Sequence, residues 1–259
     1  MKKILVCLAL LLISTSFLFA QNEKRNLNIV FIGNSITQGV QLANSVEAPP
    51  ANAVADLLKQ KGIGEVHFSN QGHSGYTTLD FLPGTRTFTQ IEEAANAFTD
   101  KKALLIFSVK LGTNDSAIQG PHGSPVSADR YIENVKIIVD KLLAGFPNAI
   151  VILQHPIWYS PNTYNGSKYL QEGLTRLQSY IPKIDSLVKS YEQSQPKHVF
   201  VGDKKAFAYF KKHHLTELIP EKGQAGTFYL HPNKTGAASL GRFWADAIGK
   251  IVRKHFLVK

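Results

Sequence analysis

Cysteine is almost missing from this chain. Cys7 is the only one in 259 residues, and it lies in an N-terminal segment that reads as removable. What remains carries no thiol, which excludes disulfides, a cysteine nucleophile and thiolate metal sites. Long apolar runs are also missing beyond that segment, as are internal repeats, low-complexity stretches and Pro/Gly/Ser linkers. Nothing divides the chain. A secreted chain of roughly 240 residues can bury a full core without covalent staples, so residues 21–259 are expected to form one domain.

The segment itself is informative. Met1-Lys2-Lys3 precedes an apolar run from Ile4 to Phe19 and then Ala20-Gln21. A basic start, an apolar core and a small residue before a polar stretch describe a secretory signal peptide. Residues 1–20 are expected to be cleaved off, which places the protein in the periplasm or outside the cell. The run falls short of the ~20 apolar residues that a spanning helix needs, so stable membrane insertion is not expected. Cys7 precedes most of the run and cannot serve as a lipid-attachment site after cleavage.

Charge is one-sided but dispersed. The formal net charge is +10, or +8 without Lys2 and Lys3. Lys101-Lys102, Lys204-Lys205 and Lys211-Lys212 read as solvated helix ends and faces. No recognition helix, zinc finger or RNA-stacking signature accompanies them, so nucleic acid is not an expected partner. Attraction to acidic glycans is the milder reading of the same charge.

Ile29-Val30-Phe31-Ile32-Gly33 is a short apolar run closed by glycine, the pattern of a buried strand. It hands over to Asn34-Ser35-Ile36-Thr37-Gln38-Gly39. A serine just past the carboxyl end of such a strand stands where open α/β sheets place ligand chemistry; a serine there also suits a helix cap. Three later islands favour chemistry. Asn70-Gln71-Gly72-His73-Ser74-Gly75 follows a strand over Glu65–Ser69. Leu111-Gly112-Thr113-Asn114-Asp115 follows a strand over Ala103–Leu111. His231-Pro232-Asn233 precedes an amphipathic helix from Lys234 to Phe256. Read singly, Gly72 and Asn114 are turn chemistry, and Pro232 and Asn233 are a helix entry.

In this order, Ser, Gly, Asn and His make a pattern that resembles the SGNH hydrolase superfamily, the GDSL-type esterases and lipases. The likeness covers nearly the whole mature chain, with Gly33-Asn34-Ser35 standing for the family's Gly-Asp-Ser. It implies a catalytic pair, Ser35 as nucleophile and His231 as base. It also implies an oxyanion hole built from the Ser35 and Gly72 backbone N–H groups and the Asn114 amide. No metal and no cofactor is implied. The chemistry is coherent: a serine hydroxyl needs a base near neutral pH, and an oxyanion needs fixed donors. Glycine at 72 would allow close backbone approach.

One departure matters. The family's acid lies three residues before the histidine, and Phe228 occupies that position. A backbone carbonyl near Phe228 is one way to orient His231; a carboxylate from another loop, Glu217, Glu221 or Asp203, is the other.

Strands alternating with helices imply a parallel sheet covered on both faces. The further strands are Asn148–Gln154 and Lys197–Gly202. Helices are expected over 49–62, 91–98, 128–146 and 169–192, with Pro182 breaking or kinking the last. The resemblance implies a three-layer α/β/α fold with a five-stranded parallel sheet in the flavodoxin-like order 2-1-3-4-5. Lys110 interrupts the third strand's apolar run and is expected to reach the rim of the site and pair with a carboxylate. After the fourth strand comes a long aromatic and polar loop, residues 155–166. Its His155, Trp158 and Tyr159 are candidate substrate-binding residues, and a sugar is the ligand their faces and hydroxyls suit. The expected activity is hydrolysis of O-acyl, chiefly O-acetyl, esters on a glycan or small molecule. Hydrolysis of longer acyl esters, as by a lysophospholipase or lipase, stays open, as does glycan binding on the same fold with little turnover.

Overall fold

The computed structural model describes residues 24–120 and 122–257. The expected signal peptide, including Cys7, lies outside the described residues. Five parallel strands form the central sheet in the order β2-β1-β3-β4-β5. They are β1 (Arg25–Gly33), β2 (Ile63–Gly72), β3 (Leu104–Lys110), β4 (Ile150–Leu153) and β5 (Val199–Val201). The runs of the three central strands β1, β3 and β4 are buried on both faces, as a parallel sheet under helices requires, while the edge strands β2 and β5 are only partly covered. Seven α-helices are described: α1 (Ser35–Gln38), α2 (Pro49–Leu57), α3 (Arg86–Ala97), α4 (Ala128–Gly145), α5 (Leu170–Ser194), α6 (Ala206–Glu217) and α7 (Lys234–His255).

Ring contacts mark the two faces of the sheet. Phe31 stacks on Trp244 of α7 at 5.8 Å. Phe107 packs on Phe146, at the end of α4, at 5.4 Å. Phe107 is in register with Val30, and Phe31 with Ser108, so alternate residues feed alternate layers. In α5, Pro182 is exposed and the helix runs on past it.

Two elements go beyond the expected pattern. Helix α6 fills the stretch after β5, and it leads into an antiparallel hairpin, β6 (Leu218–Gly223) and β7 (Gly226–Pro232), which forms a sheet of its own. A glycine stands on each side of the two-residue turn, and Gly226 has φ +90°, a conformation that favours glycine. Glu221 is in register with Phe228, and the register shifts between Leu218 and Pro220. That shift breaks the strict alternation of β7, so that consecutive Leu230 and His231 are both buried. A bulge of this kind is a common way to re-aim a side chain beside a site.

The loop over residues 155–166 supports this hairpin. Ser160 N–H donates to the Tyr229 carbonyl at 2.9 Å, and Tyr229 N–H donates to Ser160 Oγ at 2.8 Å. Asn162 Nδ2 donates to the Thr227 carbonyl at 2.7 Å. Gln224 N–H donates to the Tyr164 carbonyl at 2.8 Å.

Candidate active site

Ser35 opens the one-turn helix α1 straight after β1. The capping work falls to Asn34, whose Oδ1 accepts the Ile36 N–H at 3.2 Å, so the Ser35 hydroxyl is free for other work. Its N–H, at the first helical position, has no partner within the helix. Gly33 is fixed by space: a Cβ there would meet Thr37 Oγ1 at 2.0 Å and the Lys110 carbonyl at 2.8 Å.

His231 reaches this turn from the hairpin. Its Nε2 lies 3.0 Å from Ser35 Oγ, across 196 residues of sequence. Its Nδ1 lies 2.9 Å from Glu221 Oε1. The acid missing from position 228 is therefore supplied across the hairpin by the residue paired with Phe228. Phe228 itself is buried in the core. The other two candidate carboxylates are occupied elsewhere. Asp203 caps α6 through the Lys205 and Ala206 N–H groups, and Glu217 accepts from the Tyr209 hydroxyl. Burial acts to raise the Glu221 carboxyl. The hydrogen bond and charge of His231, with the Gln41 amide, outweigh it and hold Glu221 below the usual carboxylate value. The sequence spacing gives no hint of this pairing, because Glu221 lies ten residues before His231.

Asn114 follows β3 and is held at both ends. Its Nδ2 donates to the Tyr76 carbonyl at 2.8 Å, and its Oδ1 accepts from the Tyr169 hydroxyl at 2.9 Å. One Nδ2 hydrogen is left over. Below it, buried Asp115 takes the Thr78 N–H at 2.8 Å. That bond fastens the loop after β2 to the loop after β3.

Gly72 departs from its expected role. Its N–H already donates to Asn70 Oδ1 at 3.0 Å. A Cβ there would meet the Gln38 backbone nitrogen at 2.3 Å, so glycine at 72 lets α1 lie close against β2. Gly75 is better placed for a donor's job. It precedes Tyr76, whose carbonyl holds Asn114, and its φ is +80°. Its N–H has no partner among the described residues.

The candidate substrate residues 155, 158 and 159 are corrected by burial. His155 bonds Asp185 at 2.9 Å, and burial pushes its imidazole below the ordinary value against the pull of that carboxylate. Trp158 packs on His214, with centroids 5.0 Å apart. Tyr159 is fully buried, its hydroxyl 2.9 Å from Ser116 Oγ. Their shared loop carries the hairpin instead of facing a ligand. Lys110 is corrected too. It is fully buried, its Nζ donates to Thr113 Oγ1 at 3.0 Å, and no carboxylate pairs with it among the described residues. Burial alone lowers its pKa to about 7.

Comparison with known proteins agrees with this architecture. Residues 31–238 match the model of the GDSL-like Lipase/Acylhydrolase family. Among solved structures, a lipase/acylhydrolase from Enterococcus faecalis is 19% identical with a TM-score of 0.57, over 86% of this chain and 95% of that one. Est24, a carbohydrate acetylesterase from Sinorhizobium meliloti, is 17% identical with a TM-score of 0.58, over 88% of this chain and 100% of that one. A two-domain esterase active on acetylated mannans is 15% identical with a TM-score of 0.54, over 91% of this chain and 52% of that one. No curated protein matches by sequence. At these identities the structures show the shared fold, while the family match spans most of the sequence: the chain belongs to the GDSL-like lipase/acylhydrolase family and is an ester hydrolase.

Proposed function

We propose that this hydrolase cleaves short O-acyl esters, acetyl esters of carbohydrates foremost, by serine catalysis. The observation that carries the reading is the chain of contacts from Ser35 Oγ through the His231 ring to Glu221. Ser35 attacks the ester carbonyl as His231 Nε2 takes its proton, and Glu221 holds the Nδ1–H tautomer and stabilises the imidazolium. The oxyanion is met by the Ser35 N–H, the remaining Asn114 amide hydrogen and the Gly75 N–H. The imidazolium then protonates the leaving alcohol. Water, activated by the same imidazole, releases the acid and restores Ser35.

The carbohydrate reading draws support from acetylesterases of the same fold and from the rim beside Asn114. There the Tyr76 ring stacks with His73 at 5.1 Å and lies 5.0 Å from His122. Asp80 orients the His122 ring through Nδ1 at 2.7 Å. Half-exposed rings bearing polar atoms suit a sugar better than a long alkyl chain. Residues 1–20 are taken as a signal peptide, with action in the periplasm or outside the cell.

The test is hydrolysis of aryl esters of rising acyl length, alongside acetate release from acetylated oligosaccharides, by the wild type and Ser35→Ala. Activity that falls steeply beyond acetate and disappears in Ser35→Ala is expected. Rates that climb with chain length would transfer the enzyme to lipids. Equal rates in both proteins would remove Ser35 from the mechanism.

A further inference from the structure

Gln41 touches the acid and the base together, yet it belongs to neither of their strands. Its Nε2 donates to Glu221 Oε2 at 2.7 Å and lies 3.3 Å from His231 Nδ1. The two carboxylate oxygens are thus served separately, Oε1 by the imidazole and Oε2 by the amide. The reverse orientation of the amide would set two acceptors against each other. Gln41 also has φ +71°, a left-handed conformation that residues other than glycine enter rarely, and often at functional sites.

The connection back to the nucleophile is short and bonded to it. Gly39 and Val40 N–H groups both donate to the Ser35 carbonyl, at 3.0 and 3.1 Å. Gly39, at φ +83°, ends α1. Gln41 follows one residue later, after Val40. Glu221, by contrast, sits on a two-stranded sheet outside the main one.

We propose that Gln41 is a positioning residue, clamping the Glu221 carboxylate, and with it the His231 ring, to the loop that carries Ser35. The proposal rests on the Ser35–His231–Glu221 reading and extends it. An acid placed on a hairpin needs a tie to the nucleophile's side of the molecule, and this amide provides one. It also biases charge. Its N–H favours the ionised carboxylate. That is the state of Glu221 the proposed mechanism requires. Of the other titratable groups on neighbouring elements, Tyr169 at the head of α5 feels the charge of Glu221, Lys222 next to Glu221 on β6 is exposed, and Lys234 at the head of α7 is paired with Glu47. Substitution at Gln41 leaves all of them in place.

The experiment compares Gln41→Met, which keeps length and loses the amide, with Gln41→Glu, using a short aryl acetate across pH. In Gln41→Met, kcat should fall about tenfold, the size of one hydrogen bond to a charged group, with KM little changed. The acid limb of kcat/KM should move to higher pH, and further in Gln41→Glu, where a second carboxylate favours protonation of both partners. In a Glu221→Gln background, Gln41→Met should add no further loss. Melting temperatures identify any variant that fails to fold. An unmoved pH profile in both folded variants overturns the clamp, even where Glu221→Gln is costly. A wild-type rate in Glu221→Gln itself would overturn the triad and the clamp together.

Discussion

The two halves of this site rest on different supports. Ser35 and Asn114 follow β1 and β3, strands paired on both sides in the middle of the sheet. Glu221 and His231 stand on a hairpin with one partner strand each, held from outside by a loop, by Gln41 and by the start of α7. Asn233 makes the last of these connections. It caps α7 through the Gly236 N–H at 2.9 Å and donates to the Thr216 carbonyl at 2.8 Å. In the proposed mechanism, the groups that attack and stabilise therefore sit on the central sheet, while the groups that move the proton sit on an appendage. The appendage depends on side-chain ties where the sheet depends on a backbone ladder.

Substitutions on each side sharpen that contrast. The largest effect is expected from Ser35→Ala, with kcat on a short aryl acetate falling by something on the order of a millionfold. Next is Glu221→Gln on the hairpin side, a loss of about ten-thousandfold, since an amide there orients the imidazole poorly. The double variant should be no worse than Ser35→Ala alone, because the residues act as a unit. Additive losses in single-turnover assays would separate the two halves chemically. Asn114→Ala, back on the sheet side, should cost a factor of about 10²–10³ in kcat through one lost oxyanion donor. A change in KM alone would reassign it to substrate binding.

The smallest effect concerns stability. Lys110→Met replaces a buried, unpaired ammonium with an apolar chain of similar volume. It should raise the melting temperature modestly. The Lys110 pKa drops from 10.5 to about 7 in the folded chain, so the burial penalty is at its fullest below pH about 7. Above that, the folded state sheds the proton while the unfolded chain keeps it. The gain should therefore shrink as pH climbs, and a gain independent of pH would argue against a charged Lys110.

The same division governs what the sequence discloses. The central strands are legible as apolar runs ended by glycine, because a strand buried on both faces leaves no other pattern. Ser35 and Asn114 stand out because each follows such a strand, and His231 because it precedes an amphipathic helix. The hairpin is obscure. Pro220 and Lys222 interrupt its apolar character, and its docking depends on distant residues such as Ser160 and Asn162. The acid is hidden for a related reason: antiparallel pairing brings together residues whose separation in sequence carries no signal. The one local signal of a hairpin turn is the pair of glycines at 223 and 226, with two residues between them. The aromatic loop misled in the opposite direction. Trp158 and Tyr159 have the composition of a ligand surface, and burial uses them as foundations.

Because strand pairing sets Glu221 opposite Phe228 and so within reach of His231, the length of the Gln224-Ala225 turn is under a parity constraint. Side chains alternate across a ribbon, so deleting or inserting one residue there would slip the ladder and turn the carboxylate to the wrong side. Changing the identity of either turn residue leaves the ladder in place. On the proposed mechanism, the spacing of an exposed turn is as much a part of the catalytic code as the residues it aligns.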